Sequence, residues 1–205
     1  QLFVNIFPAV WSLLSGQQRA DLDAELVKML SKPEILIQRY MRPNVPETIL
    51  EAAAHCQPSI PTLSPQLIKY LGQNFCGWYA SATLLEQLCD TTGADHEILQ
   101  ESNNNQMPSW EKAQIALGSL LERLGDEDMW YGLMRRRAVF PETVLALSYA
   151  QAGQWPTAQA SMEATLQKAR NGVIGYLSSE YALWERNWYQ SAKALQQWDF
   201  VGEVA

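Results

Sequence analysis

The residues most able to do chemistry in this sequence are two histidines and three cysteines. His55 stands beside Cys56, and the remaining members, Cys76, Cys89 and His96, follow at irregular intervals. Zinc sites need closely spaced ligand pairs, and a disulfide framework needs an even number of cysteines. Because the spacing meets neither requirement, we expect reduced, partly buried thiols and neither a metal nor a cofactor.

A run of carboxylates is the next candidate for catalysis. Asp126, Glu127 and Asp128 could act as an acid and a base, but they stand directly before a helical pattern, where negative charge stabilises a helix N-terminus. The sequence also lacks a serine nucleophile elbow, a phosphate-binding P-loop and a zinc-protease motif. We therefore expect no catalytic residue and no enzymatic activity here.

Three consecutive arginines, Arg135, Arg136 and Arg137, end the same helical pattern. Positive charge near a helix C-terminus interacts favourably with the helix dipole, so a solvated helix end explains them. The alternative is a binding patch for an acidic partner. Both interpretations stay open, and the three arginines are our candidate partner surface.

The overall charge limits the partners. The 205 residues carry a formal net charge of −7 at pH 7, and the pI is about 4.9. Nucleic acids and anionic membrane surfaces attract clustered positive charge, and a membrane span needs about 20 consecutive apolar residues, which the sequence lacks. With 47% hydrophobic and 18% charged residues, the sequence predicts a globular chain without direct nucleic-acid or membrane contact.

Helical periodicity extends along almost the whole chain and is interrupted by prolines and glycines. One face of the first helical segment carries Phe3, Phe7, Val10 and Leu14. The proline-rich stretch 57–65 excludes a helix interior and predicts a rigid connector. A helical hairpin follows, with its turn predicted near Gln73–Asn74, and the polar residues 92–107 are predicted to form a loop.

The clearest internal unit is ETVLALSYAQAGQWPTAQASMEATLQKA, residues 142–169. Its pattern is typical of a tetratricopeptide hairpin, with a glycine at the turn and small residues where the two helices approach. Gly153 stands at the turn, where a positive φ is needed. The residues predicted to line the two helices are Leu145, Ala146 and Tyr149 in the first and Trp155, Ala158, Met162 and Thr165 in the second.

Tryptophans recur at junctions between helical patterns. Trp155 and Trp198 are 198 − 155 = 43 positions apart, and looser units surround Trp130 and Trp188. A catalytic site rarely repeats within a chain, whereas stacked hairpins do, so we predict an all-α fold, an α-solenoid of tetratricopeptide/HEAT-like helical hairpins. The residues predicted to pack these repeats are Trp130, Leu145, Tyr149, Gly153, Trp155, Ala158, Trp184, Trp188 and Trp198.

One late helical pattern carries an apolar stripe formed by Tyr181, Trp184, Trp188, Ala192 and Leu195. Its spacing is that of a single helix face, which favours packing against a neighbouring helix. An aromatic binding cage is the alternative interpretation of the same residues.

Several segments resemble the TRRAP family. The run PSIPTLSPQLIKYLGQNFCGWYASATLLE is similar to the family's proline connector and following helix pair. The pieces EDMWYGL, ETVLALSYAQAGQW and LWERNW…LQQWD keep the order and approximate spacing of the family's FAT region. The resemblance covers most of the chain and is clearest from Pro58 onward, whereas residues 92–107 depart from it.

The resemblance implies HEAT- or TPR-like amphipathic hairpins in residues 1–57 and tetratricopeptide-like FAT-region repeats in 58–205, with the last helix truncated. It also implies a non-catalytic scaffold segment of a very large nuclear transcription coactivator. The family is a pseudokinase relative of the phosphatidylinositol-3-kinase-related kinases. The implied partners are other segments of the parent chain, subunits of SAGA-type and related histone acetyltransferase complexes, and transcription activators. No catalytic residue is carried over.

Two alternatives remain. The chain could be the FAT regulatory segment of an active kinase of the same superfamily, which intact H-R-D and D-F-G motifs downstream would indicate. It could also be a peptide-binding tetratricopeptide module. The helix PETVLALSYAQAG lacks the basic residues that such grooves usually present, which counts against this second alternative.

Overall fold

The computed structural model describes residues 2–57, 63–93, 109–174 and 178–199, and these residues contain helices and short connections but no strand. The chain forms two compact units, Gln1–Gly125 and Asp126–Ala205. From Val45 to Leu124 in unit 1, and among the described helices of unit 2, helices that follow one another in sequence pack side by side, as in an α-solenoid. The predicted all-α fold class is confirmed.

Unit 1 is built from six described α-helices and one 3₁₀ segment. Its core lies among α4, α5 and α6, and α3 packs against α1, α4 and α5. The elements are α1 (Leu2–Leu13), α2 (Gly16–Leu30), the 3₁₀ segment (Pro33–Tyr40), α3 (Val45–Ala54), α4 (Pro65–Phe75), α5 (Trp78–Gly93) and α6 (Ser109–Leu124).

Side-chain caps explain where three of these helices begin. Ser15 and Gln18 form a reciprocal capping box at the start of α2. The Asn44 Oδ1 atom accepts a hydrogen bond from the Glu47 amide at 2.8 Å and caps α3. Ser64 accepts from the Leu67 amide at the start of α4. Each cap satisfies a backbone amide that has no partner within its own helix.

The most buried residue of α1 is Trp11, which is 1% exposed, whereas Phe3 is 44% and Val10 is 46% exposed. The four residues predicted to share one face, Phe3, Phe7, Val10 and Leu14, are thus half-buried or exposed. Phe7 stacks between Phe3 and Trp11 at centroid distances of 5.1 and 6.0 Å, and the largest aromatic ring sets which side of the helix is buried.

The hairpin between α4 and α5 turns later than predicted. Helix α4 continues through Asn74, whose side-chain amide donates to the Tyr70 carbonyl at 2.8 Å, and the turn falls at Cys76, which adopts a left-handed conformation with φ 63°. The two helices approach closely at Gly72, where an added Cβ would lie 2.8 Å from the Ser81 Cβ. The turn therefore follows the close contact of the helices.

Unit 2 contains four described helices, and α10 packs against both α9 and α8. They are α7 (Glu127–Arg137), α8 (Pro141–Gln151), α9 (Trp155–Arg170) and α10 (Ser178–Ala194). Gly153 has φ 72° at the end of α8, where the Gln154 amide donates to the Tyr149 carbonyl at 2.9 Å. This is the glycine C-cap expected for the turn of the repeat unit.

Some predictions fall on residues that the structure does not describe. Most of the proline connector (58–62), the polar stretch 94–108 and the end of the last helix (200–205) are among them, and Thr92 and Gly93 belong to α5. Helix α3 packs against α4 and α5, so helices on the two sides of the predicted 57/58 boundary are in contact. The boundary divides two predicted types of repeat, and this division stays a prediction. Among the described helices, none is long and apolar enough to cross a membrane.

Candidate interaction surface

A buried polar cluster joins α8 to α10 in unit 2. The Glu180 side chain is 6% exposed, and its Oε1 atom accepts hydrogen bonds from the Phe140 amide at 3.1 Å and the Val139 amide at 3.2 Å. The Thr143 hydroxyl donates to the same oxygen at 2.6 Å. The Trp184 indole donates to the Thr143 hydroxyl oxygen at 2.7 Å.

The cluster supplies a cap that the sequence of α8 lacks. Phe140 occupies the N-cap position of α8 and has no side-chain acceptor, and Pro141 follows it. Glu180, which belongs to a different helix, provides the missing acceptor and places negative charge at the positive end of α8. These polar atoms hold two helices together, so the cluster has a structural role.

Aromatic side chains fill the rest of this packing. The Trp184 ring lies 5.7 Å from Phe140 and 6.1 Å from Tyr181, centroid to centroid. Trp130 is 6% exposed, and the Arg186 guanidinium lies 5.1 Å from its ring centroid. These contacts favour core packing over an aromatic binding cage for the stripe on α10.

The three candidate arginines do not form one continuous outward patch. They occupy the last turn of α7, and successive helical residues point about 100° apart. Arg136 is exposed, whereas Arg135 and Arg137 are half-buried. A partner would therefore meet mainly the Arg136 side chain, with its neighbours at the edges. The docking role of Arg135, Arg136 and Arg137 stays a prediction.

The predicted repeat-packing residues fall into three groups by exposure. Trp130, Ala158 and Trp184 are buried, and Ala158 lies in α9, which packs against α8. The half-buried members are Tyr149, Trp155 and Trp188. Gly153 is exposed, and Leu145 and Trp198 are 51% and 60% exposed, so the packing role of these three residues stays a prediction.

The helical register of α8 explains why Leu145 is exposed. Its inward face carries Thr143, Ala146, Leu147 and Ala150. These positions recur at helical spacing, and Leu145 falls on the other side of the helix. The tetratricopeptide pattern thus has the correct turn and small residues but a different large residue facing inward.

The residues considered for catalysis have structural positions. The Asp126 carboxylate caps α7 by accepting from the Met129 amide at 3.2 Å, and Asp128 accepts from the Gln151 side chain at 2.8 Å. His55 is exposed at the end of α3, and burial raises the pKa of the Cys56 thiol to about 11. His96 lies outside the described residues. Within the described residues, no three His, Cys, Asp or Glu side chains come together as a metal site.

Comparison with known proteins identifies the family. The family model of the Tra1 HEAT repeat ring region matches residues 1–56. The SAGA complex/NuA4 acetyltransferase complex subunit TRA1 of Saccharomyces cerevisiae is 37% identical over 203 residues, which covers 99% of this chain. The transformation/transcription domain-associated protein of Homo sapiens is 31% identical over 212 residues, or 98% of the chain. The chain belongs to the TRRAP family.

This TRRAP-family chain spans a small part of its relatives. It covers 5% of the Saccharomyces cerevisiae protein and 6% of the Homo sapiens protein. The SAGA complex/NuA4 acetyltransferase complex subunit Tra1 of Schizosaccharomyces pombe is 36% identical over 206 residues, which covers 100% of this chain and 5% of the relative. The similarity extends across both units, whereas the matching family model ends within unit 1.

The residue that organises unit 2 of this TRRAP-family chain was not predicted from the sequence. Glu180 was given no role there, yet its side chain accepts from the Phe140 amide at the start of α8 and from the Thr143 hydroxyl. One signal was available, because α8 begins with Phe-Pro and carries no capping side chain of its own. A helix start without a cap indicates that another element supplies the acceptor.

Proposed function

We propose that this chain is a non-catalytic scaffold segment of a very large nuclear transcription coactivator that is a subunit of histone acetyltransferase complexes. The observation that supports this proposal most directly is the 37% identity, over 99% of the chain, to a protein named as a SAGA and NuA4 acetyltransferase complex subunit. The FAT-region assignment of residues 58–205 and the pseudokinase nature of the parent chain belong to the same proposal. Its partners are subunits of those complexes and transcription activators.

The physical character of the chain supports a scaffold role. The interior of unit 2 is built from aromatic rings, alanines and a polar cluster whose contacts stabilise helix packing. Asp126, the first of the carboxylates considered for catalysis, caps α7, and two of the three thiols, Cys56 and Cys89, are buried. What such an arrangement provides to the rest of a large assembly is a fixed shape and a surface.

An exposed apolar face supports contact with other segments of the parent chain. Five large apolar residues lie on the outer side of α1, and they are exposed by 44% to 86%. These residues are Leu2, Phe3, Ile6, Val10 and Leu13. Helical repeats bury such faces against neighbouring repeats, so we assign this face to packing within the parent protein.

The test is affinity capture from nuclear extract with the 205-residue chain as bait, followed by mass spectrometry. A second bait carries Arg135→Glu, Arg136→Glu and Arg137→Glu. A third bait carries Lys28→Glu, Lys112→Glu and Lys193→Glu, three exposed lysines whose replacement changes the net charge equally. Circular dichroism of all three baits verifies that each is folded.

We expect the unchanged bait and the lysine variant to enrich acetyltransferase-complex subunits or activators, and the arginine variant to lose them. If all three baits capture these proteins equally, the scaffold role is supported, but the three arginines do not contribute to docking. Recovery of chaperones alone would contradict the proposal that complex subunits or activators dock on this chain.

A further inference from the structure

A second stretch of unit 1, besides the outer side of α1, exposes a group of large apolar side chains. It consists of the 3₁₀ segment and the residues that lead into α3. Scattered exposed apolar residues are common, but a contiguous group marks an interaction site. The exposed fractions are 44% for Leu36, 71% for Ile37, 87% for Tyr40, 52% for Met41 and 45% for Val45.

The geometry of the segment arranges these side chains in rows. In a 3₁₀ helix, residues three apart lie above one another, so Ile37 and Tyr40 form one ridge and Leu36 and Arg39 form a second. Ile35, which is 8% exposed, holds the opposite side against the core. The Arg39 guanidinium lies 5.7 Å from the Tyr40 ring centroid, so charge stands beside the apolar ridge.

The segment is fixed in place by polar contacts. The buried Asn44 side-chain amide donates to the Phe75 carbonyl at 3.0 Å, which ties the segment to the end of α4. The Val45 amide donates to the Gln38 side chain at 2.9 Å, and the Arg42 guanidinium contacts the Cys76 sulfur. Because the backbone is already ordered, a partner would lose little conformational entropy by binding to it.

The charge of the stretch is opposite to that of the chain. Residues 32–45 contain Lys32, Arg39 and Arg42 against the single carboxylate Glu34, which gives 3 − 1 = +2. The whole chain carries −7. A complementary partner therefore brings negative charge together with apolar side chains.

We propose that this surface, the 3₁₀ face (Leu36, Ile37, Arg39, Tyr40, Met41, Arg42 and Val45), docks an amphipathic helix with carboxylates beside its apolar side. Two short parallel ridges match the i, i+3, i+4 and i+7 side chains of a helix laid across them. Nucleic acid would satisfy the arginines but leave the exposed isoleucine and tyrosine unmatched. The inference rests on the proposed docking role of the chain and assigns to it residues other than Arg135–Arg137.

The test is selection of displayed random peptides of about 20 residues, long enough for several helical turns, on the purified chain. We expect enriched peptides to have an excess of Asp and Glu and apolar residues at helical spacing. Their affinity, measured by fluorescence anisotropy, should fall roughly tenfold or more for an Ile37→Ser, Tyr40→Ser chain and for an Arg39→Glu chain. A matched Ile6→Ser, Leu13→Ser chain, altered on the exposed face of α1, should bind them unchanged.

Several results would overturn the inference. The selection could enrich proline-rich or basic peptides, or no peptide at all. Binding could be lost only in the α1 variant. The chain could also associate with itself through this surface, in which case the Ile37→Ser, Tyr40→Ser variant would abolish the self-association. The Arg135–Arg137 variant is measured with the same peptides. If only the Arg135–Arg137 variant loses the peptides, the docking site lies on α7 and the 3₁₀ face is excluded. If the peptides bind the 3₁₀ face as expected but the chain captures no complex subunit or activator from extract, the 3₁₀ face stands and the proposed docking of those partners is contradicted.

Discussion

The hydroxyl oxygen of Thr143 lies 2.6 Å from the carboxylate oxygen Oε1 of Glu180, which follows it by 37 positions in the chain. The contact joins the first turn of α8 to the first described turns of α10. It also orients the Thr143 oxygen as the acceptor for the Trp184 indole at 2.7 Å. A single carboxylate thus fixes a helix start, a buried hydroxyl and, through that hydroxyl, the buried Trp184 ring.

Replacing Glu180 by Ala should destabilise the chain by roughly 3 kcal/mol, because buried amide and hydroxyl donors lose their acceptor. Glu180→Gln keeps one acceptor oxygen and should cost about 1 kcal/mol. Urea unfolding followed by tryptophan fluorescence measures both. Glu163→Ala, at an exposed position of α9, is the control and should change the stability by less than about 0.5 kcal/mol. Equal effects at positions 163 and 180 would contradict the capping role.

Two helix caps of unit 1 should differ in energy because they differ in burial. Asn44 is 3% exposed and bonds to the Glu47 amide, the Glu47 carboxylate and the Phe75 carbonyl. Ser64 is exposed and accepts only from the Leu67 amide. We expect Asn44→Ala to cost roughly 3 kcal/mol and Ser64→Ala about 1 kcal/mol in urea unfolding. A larger loss for Ser64→Ala would show that the contact to Phe75 contributes little.

The contrast between local and long-range signals explains what the sequence could predict. Gly153 acts on the helix that it follows, so residue type and position were enough to predict that turn, whereas the caps at Asn44 and Ser64 are equally local but were not predicted. Glu180 acts on a helix that begins 40 residues earlier, measured to Phe140, and no local pattern contains that information. Sequence periodicity therefore predicted the all-α fold but missed the residue that joins two of its helices.

The direction in which a helix faces was harder to predict than its existence. For α1, the sequence placed four apolar residues on one face, but apolar residues occur all around this helix, and Trp11 is the one that is buried. For α8, the tetratricopeptide pattern favoured Leu145, yet the alanines at 146 and 150 allow the closer helix contact. Both outcomes depend on the shape of the neighbouring helix, which the local sequence does not contain.

Two helical glycines should respond in opposite ways to the same substitution. An added Cβ at Gly72 would come within 2.8 Å of the Ser81 Cβ, whereas one at Gly132, in α7, would meet nothing within 4 Å. We expect Gly72→Ala to destabilise by roughly 1–3 kcal/mol through overpacking. Gly132→Ala should stabilise by about 0.5–1 kcal/mol through its better helix propensity. Thermal unfolding of the two variants measures this, and an upward shift of both midpoints would disprove the close helix contact at Gly72.

The buried thiol of Cys56 should make the stability of the chain fall at alkaline pH. Its side chain is 3% exposed, and burial raises its pKa from 9.0 to about 11. The folded state thus holds a proton that the unfolded chain releases from about pH 9 upward. The contribution of this thiol is complete below pH 9 and is lost as the pH rises toward 11. Burial, with a smaller effect of the Glu127 charge, also raises the pKa of Tyr131, which acts in the same direction.

The measurement is the free energy of urea unfolding at several pH values between 8 and 10.5. We expect the Cys56→Ala variant to be less stable throughout, because its packing is reduced, but to lose less stability with rising pH than the unchanged chain. Thiol labelling at pH 8 is the second readout, in which exposed Cys76 should react in the folded state and Cys56 only after unfolding. Parallel pH profiles for the two chains, or equal labelling rates for both thiols, would show that Cys56 is not shielded by the fold.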